Sequence, residues 1–260
     1  MSENNKNNYT EINSKAIDSW AEKDWEWSVP ISREDYKNAQ NGQWQVVLTP
    51  LKPVPVDWFL PFIKSNKLNG AKLLGLASGG GQQMPIFAAL GADCTVLDYS
   101  DKQLDSERMV SEREGYSINI VKADMTKKLP FEDDSFDIIF HPVSNCYVED
   151  VYHVWNECFR VLKKGGVLLA GMDNGVNYLF EEDDSLRIVN KLPYNPLKDE
   201  ELYKRSIQGD GSIQFSHTIE EQLGGQLKAG LVITDLYEDT DNRGIGEYMP
   251  NYIATRAIKP

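Results

Sequence analysis

From Ala71 onward the chain repeats one pattern, in which a short apolar run gives way to a polar turn and then to a stretch of helical period. Such a rhythm is that of parallel strands joined by crossover helices. AKLLGLA is the first strand and QQMPIFAALG a helix stopped by Gly91. CTVLD is the second strand, and a helix capped by Ser100, with Gln103 three residues on, then runs to Gly115. SINIVKA, FDIIFHP and VLLAGM form the third to fifth strands, the fifth preceded by VYHVWNECFRVLKKGG, a helix with a glycine stop. SHTIEEQLGGQLKAG is a helix capped by Ser216 or Thr218; LVITDLYED and YIATRAI are the last two strands. The final strand follows its neighbour through a loop and not a helix, so the two pair antiparallel. The expected fold is a doubly wound, mostly parallel seven-stranded α/β sheet with an antiparallel last strand. Sheets of this kind bind ligands at the carboxyl ends of their strands.

Two segments stand outside this rhythm. The first dozen residues are polar and expected to be disordered. Trp20, Trp25, Trp27, Trp44 and Trp58 then place five of the six tryptophans in the first quarter of the chain, around SREDYKNAQNG, a helix capped at Ser32 and stopped at Asn41-Gly42. Residues 1–69 therefore read as an aromatic helical extension, either packed on the main domain or closing over it as a lid. The main domain is 70–260, interrupted at 173–215 by a polar insertion carrying Pro193 and Pro196.

A chain of 260 residues holds one large domain with an appended cap. Cys94, Cys146 and Cys158 lie far apart with no Cys/His pairing, which points away from disulfides and zinc and toward a reducing compartment. The N-terminus lacks an apolar core of the signal-peptide kind, and no run approaches the ~20 apolar residues of a membrane span, so a cytoplasmic protein is expected. Lys and Arg number 27 against 40 Asp and Glu, a formal charge of −13. Only short basic pairs such as Lys127-Lys128 and Lys163-Lys164 interrupt it, which argues against a nucleic-acid partner.

The candidate chemistry begins with LLGLASGGGQQ at 73–83, where a strand runs into small residues and glycines. Such a loop lets backbone amides approach a ligand, and a helix N-terminus follows it. Asp98 ends the second strand 19 residues past Gly79, where a carboxylate can accept from both hydroxyls of a ribose. A nicotinamide enzyme would carry the same acid. ADMTKKLPFEDDSFDIIF after the third strand, RVLKKGGVLLAG before the fifth and the terminal strand pair separate the two.

That ordered set resembles the class I S-adenosylmethionine-dependent methyltransferases on a Rossmann-like sheet, specifically the small-molecule group that includes the quinone-biosynthesis enzymes. The resemblance is close over about 70–172 and holds in outline over 216–258. It implies S-adenosylmethionine as cofactor, with Ala77, Ser78, Gly79 and Gly81 under its methionine portion. It puts Asp98 on the ribose, Tyr99 beside the adenine, Asp124 on the adenine amino group and the Met125 amide on a ring nitrogen. The family usually has an acid at Gly75 and a glycine at Ala77; Gln82 or Gln83 is a candidate replacement for the lost acid.

FHPVSNCYVED follows the fourth strand and is expected beside the transferred methyl. His141 has two readings, as the base that deprotonates a hydroxyl or amine acceptor or as a contact to the cofactor, while Asn145 and Tyr147 would orient the acceptor. His141-Pro142-Val143 is not the Asp/Asn-Pro-Pro-Tyr/Phe sequence of amino-methylating DNA enzymes. No acid there completes a catechol-type metal site, although Asp173-Asn174 would suit its other half, so no metal is expected. Cys146 reads as a packing residue, and His153 and His217 as a helix-face and a cap-adjacent residue. A nicotinamide oxidoreductase and a non-catalytic binding protein are the competing readings, with methylation of RNA disfavoured by charge. For the acceptor, the tryptophans together with Tyr178, Phe180, Tyr194 and Tyr203 offer apolar walls, and acidic runs at 181–184 and 198–201 a rim. A neutral or cationic small molecule is expected. The sequence carries no signal of oligomeric state.

Overall fold

The computed structural model describes residues 8–23, 25–181 and 186–260. Among them are seven strands: β1 Lys72–Leu76, β2 Asp93–Asp98, β3 Asn119–Lys122, β4 Phe136–His141, β5 Leu162–Asp173, β6 Val232–Asp239 and β7 Tyr252–Ile258. They form one sheet in the order β3-β2-β1-β4-β5-β7-β6. The first five run parallel, and β7 pairs antiparallel with both β5 and β6. The expected sheet is therefore the one found.

Strand residues divide between two cores by simple alternation. Leu73, Val96, Ile138 and Leu169 face one cluster, while Leu74, Leu97, Ile139 and Leu168 face the other. The first face is covered by α2 (Arg33–Gln40), α3 (Gln83–Ala89) and the chain from Ala39 to Leu68, which contributes Val46, Leu48, Trp58 and Phe59. Segment 46–48 lies close enough that a Cβ on Gly171 of β5 would sit 2.0 Å from the Leu48 carbonyl oxygen. On the second face, α5 (Val151–Val161) presents Trp155, which is fully buried and donates from Nε1 to the Glu221 carbonyl. Truncating Trp155 to Ala would cost about 3–5 kcal/mol.

The caps behave as their chemistry requires. Ser32 and Asp35 form a capping box on α2, Ser100 accepts from the Gln103 amide at the head of α4 (Asp101–Glu114), and Gly115 ends α4 at φ +75°. Three expectations need correction. Residues 9–12 are not disordered: Tyr9–Ala21 is helix α1, and Tyr9 packs edge-on against Phe215. Helix α5 does not run to a glycine stop but passes at Leu162 directly into β5, whose first residue pairs with Phe136. The helix expected from Ser216 is a π-helical turn, Glu220–Gly224, leading into the short α7, Gly225–Lys228. Gly225 lets the Trp155 indole approach there, since a Cβ would meet it at 2.5 Å. Thr218, and not Ser216, closes the turn's N-terminus, through a reciprocal pair of bonds with Glu221.

Candidate active site

A cavity of 710 Å³ opens over the carboxyl ends of β1, β2, β4 and β5, where a doubly wound sheet places its ligands. Its first wall is the loop after β1. Ala77 takes φ +48°, Gly80 +96° and Gly81 +71°, a left-handed run that turns the chain sharply under the cavity. The loop's amides are mostly committed to the protein. Gly79 N–H donates to Asp98 Oδ2 (3.1 Å), Gly80 N–H to the Gln103 carbonyl (3.0 Å) and Gly81 N–H to Glu107 Oε1 (2.8 Å). Ala77, Ser78 and Gly79 line the cavity; Gly81 does not, and a Cβ there would strike Val110 and Pro30. Gly81 shapes the loop from behind.

The Ser78 hydroxyl is buried at the cavity wall without a hydrogen-bond partner. An orphaned polar group in such a place is normally satisfied by a ligand or water. Beside it Asp98 holds its carboxylate between the Gly79 and Ser100 amides, and burial pushes its pKa up against those bonds. Tyr99, Asp124 and Met125 line the same end, with Asp124 Oδ1 turned into an Asx turn on the Thr126 amide (2.8 Å). Gly79 is needed for this approach, because a Cβ would lie 3.0 Å from Asp98 Oδ2 and 2.7 Å from Gln103 Cβ.

At Gly75, a Cβ would sit 2.4 Å from Met84 Sδ, so the methionine fills the space where the family usually has an acid. Gln82 lines the cavity with its Nε2 held by the Glu26 and Val29 carbonyls. Gln83 lines the cavity while its Oε1 accepts from the Val47 amide.

The expected catalytic trio separates. His141 is fully buried and does not line the cavity; its Nδ1 donates to the Leu76 carbonyl (2.9 Å), and its ring lies edge-on to Trp155. Burial holds its pKa below the usual imidazole range, so the ring is neutral. Its Nε2 lies 2.9 Å from Asn145 Oδ1, Asn145 Nδ2 lies 2.9 Å from Gln222 Oε1, and Gln222 Nε2 lacks a partner. A neutral ring cannot donate at both nitrogens. Turning over both amides puts Asn145 Nδ2 on the ring's Nε2 lone pair and Gln222 Nε2 on Asn145 Oδ1, which removes the conflict at the ring and moves Gln222 Oε1 to the unpartnered position. His141 and Asn145 thus brace the loop after β4, and His141 Nε2 faces Asn145 and not the cavity. Tyr147 alone of the three reaches the cavity. Cys146 lines it too, but burial pushes its thiol up and away from nucleophilic chemistry.

The remaining wall comes from the segments outside the sheet rhythm. Helix α1 contributes Thr10, Asn13, Ser14 and Ile17, and it is tied at both ends of the cavity. Asp18 accepts from Ser100 Oγ (2.6 Å) and the Lys102 amide at the head of α4, while Asn13 makes two bonds with the Ile213 backbone. Trp25 and Trp27 line the cavity. Trp44 and Trp58 do not; they pack on Phe59 and Tyr237. Tyr178, Phe180 and Tyr194 line it as well, whereas Tyr203 packs on the cluster around Phe215.

Of the expected acidic rim, the run at 198–201 does not line the cavity. Glu181 lines the cavity and pairs with Arg187, and 182–184 lie outside the described residues. Asp199 caps α6 (Glu200–Gln208), on which Glu200 and Glu201 pair with Lys204.

Sequence reasoning gave Asp173 only a metal-site role. It ends β5 at the cavity wall, 4% exposed, with Oδ1 accepting from the Gly175 amide (2.9 Å) and Oδ2 unpartnered. Burial raises its pKa to about 6. Its place at the carboxyl end of a parallel strand was the available signal.

A family model described as a methyltransferase domain matches residues 74–170. The chain is 42% identical over 253 residues to the uncharacterized methyltransferase YbaJ of Bacillus subtilis, covering 95% of this chain and 97% of that one. It is 30% identical to the methyltransferase phqN of Penicillium fellutanum over 66% of this chain and 50% of that protein's length. Among solved structures, an S-adenosylmethionine dependent methyltransferase from Mesorhizobium loti matches with a TM-score of 0.60 at 22% identity, over 77% of this chain and 94% of that one. The [4+2]-cyclase SpnF matches at 0.53 and 18%, over 74% of this chain and 76% of that one, a reminder that the fold alone does not fix the reaction. Near full-length kinship to YbaJ, together with the sheet order and the wall built around Asp98, shows that this chain belongs to the class I S-adenosylmethionine-dependent methyltransferases.

Proposed function

We propose that the protein methylates a small-molecule acceptor held in the same cavity as its cofactor. The carrying observation is that one cavity joins a polar end, at Ser78, Asp98 and Asp124, to an aromatic end, at Tyr147, Tyr178 and Tyr194. Its 710 Å³ fall in the range of small-ligand pockets.

S-adenosylmethionine supplies a methyl group already bound to a good leaving group, a sulfonium. The chain's own residues have to bind, align and keep water out. Asp98 would accept from the ribose hydroxyls and Asp124 from the adenine amino group, the Met125 amide would donate to a ring nitrogen with Tyr99 beside the adenine, and the Ser78 hydroxyl would find its missing partner. Helix α1 and Trp25–Trp27 cover this end, their bonds to Ser100, Tyr99 and Gln82 holding them over the cofactor. The acceptor then meets the methyl from the aromatic side, with Tyr147 between the two ends. Against a polynucleotide acceptor stand five carboxylates on the cavity wall, Asp98, Asp124, Asp173, Glu181 and Asp210, with Arg205 the one Lys or Arg among the described lining residues.

Calorimetric titration tests the cofactor half. S-adenosylmethionine and its demethylated product should bind the protein while NAD and NADP do not; binding of NAD in their place would overturn the proposal.

A further inference from the structure

Among the described residues, the acceptor end of the cavity carries a buried carboxylate oxygen that the fold leaves unsatisfied. Asp173 lies at the end of β5, more than nine-tenths buried, and its Oδ2 has no partner while Oδ1 is held by the Gly175 amide. The other acids on this side are occupied: Asp210 takes the Ser212 amide and hydroxyl and Gln214 Nε2, and Glu181 takes Arg187. Around Asp173 stand aromatic side chains whose hydroxyls are engaged elsewhere. Tyr178 donates to Gln214 Oε1, Tyr252 to Asp241, and Tyr194 pairs with Ser206.

A buried carboxylate without a counter-ion, with aromatic side chains beside it, is a receptor for an ammonium group. A hydroxyl acceptor would answer the hydrogen bond but leave the charge uncompensated. An acidic acceptor would add repulsion.

Resting on the methyltransferase reading above, we propose that the acceptor is a primary or secondary amine on an apolar or aromatic body, and that Asp173 receives its ammonium and takes its proton. The proton passes from the ammonium nitrogen to Asp173 Oδ2. The freed lone pair then forms the new N–C bond as the methyl's bond to sulfur breaks, with its electron pair staying on sulfur. The product leaves as the methylated ammonium, and the carboxyl returns its proton to solvent.

The raised pKa of Asp173 suits a group that must both hold and release a proton near neutrality. The groups facing it are Cys146 and Tyr147 from the loop after β4, Tyr178 and Asp210 from the insertion, Tyr252 from β7 and His217 behind Gly175. Arg205 lies on the same cavity wall.

The test uses the full chain saturated with S-adenosylhomocysteine and four matched probe pairs of ligands read by calorimetry: phenethylamine against phenethyl alcohol, tryptamine against tryptophol, and each amine against its carboxylate counterpart, phenylacetate or indoleacetate. Asp173→Asn is the variant, because its amide oxygen can still accept from Gly175 N–H, and unchanged S-adenosylhomocysteine affinity certifies the fold. The wild type should favour each amine over its alcohol by at least about tenfold, and D173N should lose that preference while the alcohols bind as before. Equal binding of amine and alcohol to the wild type, no binding of any amine, or a preference that survives D173N would overturn the proposal. If S-adenosylhomocysteine binds neither protein, the methyltransferase reading beneath it falls and takes the proposal with it.

Discussion

Asp98, half-buried, and Asp173, buried, are carboxylates at the ends of two strands, and their surroundings differ. Asp98 is held by two backbone amides, so it is rigid and aimed; Asp173 is held by one and keeps an oxygen free. On the proposed reading, replacing Asp98 by Ala removes the paired acceptors for the ribose. Cofactor affinity should fall by about 1–3 kcal/mol, roughly tenfold to a hundredfold, by calorimetric titration. Asp173 works as its carboxylate, so methyl transfer should decline as pH falls through about 6, and the rate profile of D173N should lack that limb. His141 shows how much of the site the sequence could not convey. A histidine at a strand end beside the methyl reads as a base or as a contact, and which way its lone pairs point depends on Leu76 and Asn145, and Asn145 in turn on Gln222, 77 residues away. Asp98, by contrast, was legible because its position follows from strand length and loop length alone.

At the scale of elements, the sheet was legible because each strand carries its own apolar run. Helix α1 was not, because a mostly polar segment of 13 residues takes its stability from Ile213, Ser100 and Phe215, which lie far along the chain. Helix α1 and Trp25–Trp27 line the cavity, and 39–68 packs in the core. Fluorescence should change when S-adenosylmethionine is added. That change should vanish in a Trp25→Phe, Trp27→Phe double variant and persist in Trp44→Phe, whose ring packs on Phe59. Deleting residues 1–22 should leave a cooperatively unfolding domain without transfer activity, since the 39–68 segment that fills the sheet's first face remains.

For the whole molecule, buried acids set the dependence of stability on pH. Burial lifts Glu107 to about 8, with Oε1 on the Gly81 amide and Oε2 unpartnered, and Asp173 to about 6. A carboxyl raised in the folded state keeps its proton where the unfolded chain has lost it. The stability it contributes is complete below the ordinary carboxylate range and is lost as pH rises, through about 8 for Glu107. Glu157, held down by Arg160, acts in the opposite sense; burial opposes the same shift in Asp239, but the Lys52 and Leu51 amides and the Thr49 hydroxyl outweigh it. Stability from these two is lost in acid. Thermal unfolding between pH 5 and 8 should therefore show a decline on the order of 1 kcal/mol per pH unit from Glu107, and Glu107→Gln should flatten it. The fold, the cofactor end and the acceptor end meet in one reaction, and transfer of a radiolabelled methyl from S-adenosylmethionine into a mixed cellular extract tests that meeting most directly. Label should enter the small-molecule fraction, in basic compounds retained on a cation exchanger, and disappear with Asp98→Ala. Label in bulk tRNA with none in small molecules would contradict the account.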